Sequence, residues 1–244
     1  MSSLSVSGKN WIFKKYNQED ILYFKDNFLL DEITSKLLSI RKIKREDIKS
    51  FLSPSIKNFL PNPNDLIDMK KSTLRALLAI NNKEKIGIFG DYDVDGATST
   101  ALLGKFFSEL KLPYNIYIPD RKKEGYGPSV KSFEKLIQNG VKIIFTVDCG
   151  TLSFEAIEYA KQNKIDVIVL DHHQSEVNLP KAYSVVNPNR LDDKSNLKYL
   201  CAAGVTFMFL VSLNRELRIN EWFKKNKINE PNLINYLDLV SLGT

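Results

Sequence analysis

Lys85-Ile86-Gly87-Ile88-Phe89-Gly90-Asp91-Tyr92-Asp93-Val94-Asp95-Gly96 is a short apolar run that ends on three carboxylates. The first six residues read as a buried strand. Beyond Gly96, apolar residues at Ala97, Ala101, Leu102, Phe106 and Leu110 recur at helical spacing. The acids therefore sit where a strand hands over to a helix, which in an open parallel sheet is where ligands bind. Three neighbouring carboxylates repel one another there unless cations hold them together, because a buried unpaired carboxylate is costly. The stretch predicts a metal site on an α/β fold.

Two other motifs share parts of this spacing. A calcium loop of the EF-hand type needs a bidentate Glu at its twelfth position, and Leu102 stands there. The aspartyl-phosphate signature, Asp-x-Asp followed by Thr or Val, fails at Asp95. A solvated acidic turn is the remaining alternative, and the rest of the chain bears on it. Val141-Lys142-Ile143-Ile144-Phe145-Thr146-Val147 is another β-branched run, ending on Asp148-Cys149-Gly150. Asp166-Val167-Ile168-Val169-Leu170 is a third, ending on Asp171-His172-His173, which holds the only two histidines of the chain. Three strand candidates thus finish in Asp, and one adds two imidazoles, a donor set for divalent cations.

These residues resemble motifs one to three of the DHH phosphoesterase superfamily: Asp91 to Gly96, Thr146 to Gly150, and Leu170 to His173. Within it the chain is similar to the RecJ family of single-strand-specific DNA exonucleases. Ile118-Pro119-Asp120-Arg121-Lys122-Lys123-Glu124-Gly125-Tyr126-Gly127 and Leu200-Cys201-Ala202-Ala203-Gly204-Val205 carry further parts of the likeness. It reaches the N-terminal region through Ser39-Ile40-Arg41, Phe51-Leu52-Ser53-Pro54 and Asp65-Leu66-Ile67-Asp68-Met69. The resemblance implies metal-dependent phosphodiester hydrolysis with two Mn²⁺ or Mg²⁺ ions. It gives Asp91 and Asp93 to the first ion, Asp95 and His172 to the second, and Asp148 to both. It makes His173 the contact to the scissile phosphate and Asp171 its orienter. Single-stranded DNA, degraded from its 5′ end, is the implied substrate, with a helicase and a single-strand-binding protein as candidate partners. The family's fourth motif, Leu-Gly-Thr-x-Ala-Asp, is met here only as Leu242-Gly243-Thr244. The expectation is therefore a chain truncated inside that motif, with little or no turnover of its own.

Arg121 follows a strand end and offers a planar fork that matches phosphate oxygens. Lys122 and Lys123 add a softer electrostatic pull, or are exposed loop charges. Gly125 and Gly127 let backbone approach a substrate and Tyr126 is available to stack on a base, although a tight turn before a helix accounts for the glycines equally well.

The remaining expectations are organisational. Residues 1–80 form a mostly helical region with an apolar stripe at Ile33, Leu37, Leu38 and Ile43, broken by Pro54, Pro61 and Pro63. Residues 81–244 form the phosphoesterase domain, a parallel sheet with helices on both faces. Further strands are expected at 114–118 and 183–186, and helices near 97–111, 128–139, 152–163, 199–218 and 232–242, with Pro128 in a first turn and Gly140 past an end. The net charge of +6 suits a polyanionic partner without demanding one. Two cysteines, no leader in Met1 to Ser5 and no long apolar span predict a cytoplasmic, non-membrane protein. Two alternatives are kept: a DHH phosphoesterase for short oligonucleotides, and a non-catalytic DNA-binding or scaffold relative.

Overall fold

The computed structural model describes residues 5–12 and 14–244; the reading of Met1 to Leu4 as lacking a leader lies outside them. The chain divides into two compact units, Met1–Pro61 and Asn62–Thr244. In the first, Asn17 and Asp31 cap helices α1 (Gln18–Phe28) and α2 (Glu32–Ile40), each carboxyl or amide oxygen accepting an N–H of the first turn. Two short helices follow, α3 (Ile48–Leu52) and α4 (Ile56–Phe59). Phe24, Leu38 and Ile48 make a small core. Of the expected stripe only Leu38 is fully buried and Ile43 packs beside it, while Ile33 and Leu37 are exposed.

The second unit is built on five parallel strands in the order β2-β1-β3-β4-β5. They are β1 (Ile86–Gly90), β2 (Tyr114–Tyr117), β3 (Ile143–Val147), β4 (Asp166–Leu170) and β5 (Ser184–Val186). Because successive side chains point to opposite faces, each central strand feeds two cores. Ile86, Ile88, Ile143, Phe145, Val147, Ile168 and Leu170 meet helices α5 (Met69–Asn81), α6 (Val94–Glu109) and α10 (Ala202–Ile219). Phe89, Ile144, Val167 and Val169 meet α8 (Val130–Gln138) and α9 (Phe154–Gln162) on the other face. Helices α7 (Arg121–Glu124), α11 (Trp222–Asn226) and α12 (Leu237–Gly243) complete the unit. Among the described residues no helix is long and apolar enough to cross a membrane.

Three local readings differ. Helix α5 packs on the sheet through α10 and β5, so residues 62–80 lie with the strands and not with the N-terminal helices. Arg75 fixes it there, its guanidinium donating to Asp166 at 2.5 Å and Glu84 at 2.7 Å. In α6 the buried stripe is Ser99, Leu102, Leu103, Phe106, Phe107 and Leu110, whereas Ala97 and Ala101 face solvent; a small apolar residue fits either side of a helix. Pro128 lies outside α8, because Ser129 is the cap and exchanges hydrogen bonds with Ser132.

The strand order places a crevice at the metal motif. The connection from β1 runs over one face through α6, and that from β3 over the other through α9, so the carboxyl ends of these neighbours part. Asp91 and Asp148 stand at those two ends, and Asp171 at the end of β4.

Candidate metal centre

Asp91 follows β1 directly and is 3% exposed. Asp93 is the N-cap of α6, with Oδ1 accepting the Gly96 N–H at 2.9 Å. A Cβ at Gly96 would lie 2.6 Å from the Asp91 carbonyl oxygen, so only glycine lets the first turn of α6 close over the strand end. Asp148 ends β3 with φ +60°, a conformation that Asp tolerates better than bulkier residues and that turns its carboxylate into the crevice. Ligand atoms of Asp91, Asp93 and Asp148 lie within 4.8 Å of one another, as do those of Asp148, His172 and His173. Asp148 belongs to both groups.

Two of the donors keep an oxygen free. Oδ1 of Asp91 and Oδ1 of Asp148 are buried without a hydrogen-bond partner. His172 Nε2 lies 3.2 Å from Asp148 Oδ1. Burial raises the Asp91 carboxyl, and burial together with Asp95 and Asp93 pushes Asp148 up to about 7 against the pull of His172. Orphaned, desolvated carboxylate oxygens beside a neutral-capable imidazole fit a pair of divalent cations.

A rigid scaffold surrounds them. Asp171 Oδ1 accepts the His172 N–H at 2.7 Å, the His173 N–H at 3.2 Å and His173 Nδ1 at 2.8 Å, while Oδ2 accepts the Thr151 N–H at 3.0 Å. Burial would raise this carboxyl, but the His173 and Thr151 bonds hold it below the usual range. The same bond to Asp171 lifts His173 to about 9 and keeps it protonated at neutral pH. Tyr126 donates its hydroxyl to the Asp148 carbonyl at 3.0 Å and sets its ring edge-on to His173. The rest of that ring remains open, leaving Tyr126 55% exposed. A groove of about 810 Å³ opens beside it, walled by Leu152, Phe154 and Gly150 and reaching Asp171 and His173.

The other expected residues fall at different distances. Arg121 begins α7 and holds its guanidinium 5.2 Å from the Tyr92 ring centre, within electrostatic reach of Asp91. Lys122 and Lys123 are exposed, the latter 3.6 Å from Asp120. Gly125, at φ +79°, closes α7 and turns the chain toward Tyr126. Cys149 is packed in the core under α9. Asp95 Oδ2 lies 3.5 Å from His172 Nε2, and its oxygens also accept the Ala202 and Ala203 N–H groups at 2.8 and 2.7 Å. Asn187, read only as a turn residue, is fully buried and donates to Thr151 Oγ1 and to the His173 carbonyl, both at 2.9 Å. Its place after β5, matching those of Asp91, Asp148 and Asp171, was the available signal.

The DHH family N-terminal domain matches residues 85–244, more than half of the sequence. The chain belongs to the DHH family. This DHH chain is 32% identical over 213 residues to the single-stranded-DNA-specific exonuclease RecJ of Bacillus subtilis, covering 87% of the chain and 27% of that relative. The RecJ of Escherichia coli is 37% identical over 194 residues, 79% of the chain and 33% of the relative. The DHH chain thus spans about a third or less of the curated relatives it matches. A crystal structure of exonuclease RecJ bound to manganese superposes with a TM-score of 0.61 at 28% identity, over 73% of this chain and 43% of that one. The RecJ of Thermus thermophilus in complex with Mn²⁺ shares the fold, with a TM-score of 0.70 at 22% identity over 95% of this chain and 31% of that one.

Proposed function

We propose that this DHH chain carries the metal-holding part of a phosphodiesterase that removes nucleotides from the 5′ end of single-stranded DNA. The observation that carries the reading is Asp148, a buried carboxylate common to two ligand groups with one oxygen left unpartnered. Asp91 and Asp93 would hold one ion and Asp95 and His172 the other, with Asp148 between them; Mn²⁺ suits the imidazole better than Mg²⁺ does. When bound, two such ions lower the pKa of a water nucleophile and stabilise the leaving oxygen of a phosphodiester.

The side chains account for the rest. His173, kept cationic and aimed by Asp171, lies at the mouth of the crevice where a scissile phosphate would need a positive donor. Arg121, stacked over Tyr92, extends positive charge toward the neighbouring phosphate. Lys122 adds a contact that carries no sequence information. Tyr126 offers its open ring face to a base while its hydroxyl holds the Asp148 backbone, and Gly125 gives it that position. The manganese-bound and single-strand-specific relatives support this reading, and the two free thiols fit a cytoplasmic setting.

The test is a calorimetric Mn²⁺ titration followed by digestion of a 5′-labelled single strand, a duplex and a dinucleotide. Two ions are expected and, in whatever slow turnover the chain has, preference for the single strand. Uptake of no ion would overturn the metal-centre reading, and preference for the dinucleotide would replace the exonuclease with a phosphoesterase of short substrates.

A further inference from the structure

We propose that Glu124 is a positioning residue: its carboxylate ties α7 to the end of β2 and so sets where Arg121 and Tyr126 stand beside the metal centre. The proposal rests on the single-strand reading above. Arg121 and Tyr126 flank a helix of four residues, too short to hold itself by its own hydrogen bonds. One end of the segment is fastened at the centre, where the Tyr126 hydroxyl donates to the Asp148 carbonyl. Glu124 fastens the other. Its Oε2 accepts the Tyr117 hydroxyl, and its Oε1 reaches back to accept the Asp120 N–H at 3.2 Å. Asp120 in turn caps α7, accepting the Lys122 and Lys123 N–H groups at 2.9 and 3.3 Å. The two acids thus exchange roles as in a capping box, and one of them is anchored to the sheet.

Tyr117 is a firm post for that anchor. It is the last residue of β2, and its ring stacks on Phe89 with centres 5.6 Å apart and planes 14° from parallel. Phe89 lies two residues before Asp91, so the anchor and the metal motif share one piece of sheet. Lys135 of α8 donates to the Tyr117 oxygen at 2.8 Å, which leaves the phenolic proton for Glu124. The bond to Tyr117 holds the Glu124 carboxyl below its ordinary range, and burial together with Glu124 raises the Tyr117 hydroxyl. Acceptor and donor are therefore each in the protonation state that the bond requires. The relay also accounts for an acid next to Arg121, Lys122 and Lys123. A free carboxylate there would oppose a phosphate backbone, so what recommends Glu124 is what it holds.

The experiment measures affinity for a 3′-labelled single strand by anisotropy, with Mn²⁺ present and over a range of salt, in the 244-residue chain. It compares Glu124→Ala, Tyr117→Phe, Arg121→Ala and Glu134→Ala, the last removing an exposed acid of α8 as a charge control. A second readout, free of metal and DNA, is the rate of tryptic cleavage after Arg121, Lys122 and Lys123. Glu124→Ala and Tyr117→Phe should each weaken the strand about 10-fold, as when a charge-assisted bond is lost. They should also lower the salt slope by about 1 and leave Mn²⁺ affinity unchanged. Both should speed cleavage at the three sites. In an Arg121→Ala background, Glu124→Ala should cost only about twofold more, since the two act on one contact. Tighter binding by Glu124→Ala, matching Glu134→Ala, would overturn the proposal by reducing Glu124 to a surface charge. So would wild-type binding in Tyr117→Phe, full additivity with Arg121→Ala, or unchanged cleavage. A wild-type chain that binds no single strand overturns the single-strand reading alone, and the cleavage rates still decide for or against the anchor.

Discussion

Asp148 is a buried carboxylate whose surroundings oppose its charge. In the folded, metal-free protein its carboxyl is pushed up to about 7 by burial and by its acidic neighbours, so the native state holds a proton that the unfolded chain releases near pH 4. His173, lifted to about 9 by Asp171, likewise keeps a proton longer when folded. The unfolded chain therefore binds fewer protons across this range, and metal-free stability falls as pH rises from about 4 to about 9. Mn²⁺ replaces the lost positive charge. Thermal melts should show a larger Mn²⁺-induced rise in Tm at pH 8 than at pH 5.5, and an equal rise at both would contradict the assigned ligands. Asp148→Ala should abolish uptake of both ions in a calorimetric titration. Retention of one ion at wild-type affinity would show that the residue is not shared. Arg121→Ala should leave Mn²⁺ affinity unchanged, weaken binding of a single strand, and reduce the slope of log affinity against log salt by about 1, as loss of one phosphate contact does.

At the level of elements, the strands and the long helices were legible and the short connectors were not. Continuous β-branched runs bounded by Gly and Asp mark β1, β3 and β4, because strands buried on both faces need apolar side chains at every position. The run from Gly204 to Leu213 marks α10 for the same reason. Helix α7 was hidden inside Arg121-Lys122-Lys123-Glu124, four charged residues without an apolar period, where Asp120 capping Lys122 and Lys123 makes the turn. The metal motifs were readable because strand ends concentrate acids. The bonds that Asp95 accepts from the Ala202 and Ala203 N–H groups were not, since those groups lie more than a hundred residues away. Asn187 shows the same limit, being a turn residue by type and a brace of the His172–His173 loop by position. Asn187→Ala should cost about 1–3 kcal/mol of stability by leaving Thr151 and the His173 carbonyl without a buried partner. It should also weaken Mn²⁺ binding, measurable by denaturation and titration of the same sample.

For the whole molecule, the two units carry separate cores, Phe24, Leu38 and Ile48 in one and the two-sided sheet in the other. A chain of residues 62–244 is therefore expected to fold and to bind Mn²⁺ within about twofold of the 244-residue protein, a roughly 0.4 kcal/mol difference. Failure to give a cooperative melt would show that the first unit is needed for the second. The sheet order also has a consequence for how the centre comes into being. Its donors sit on loops after β1, β3 and β4, and the first group is complete only when β3, which follows β2 in the chain, has docked beside β1. The second group waits for β4. During synthesis, a ribosome-bound chain that has exposed only β1 and β2 presents a run of acids with nothing to chelate against. On the two-ion reading manganese capture is therefore a late event, and the arrival of the ion would report that the parallel sheet has closed in register.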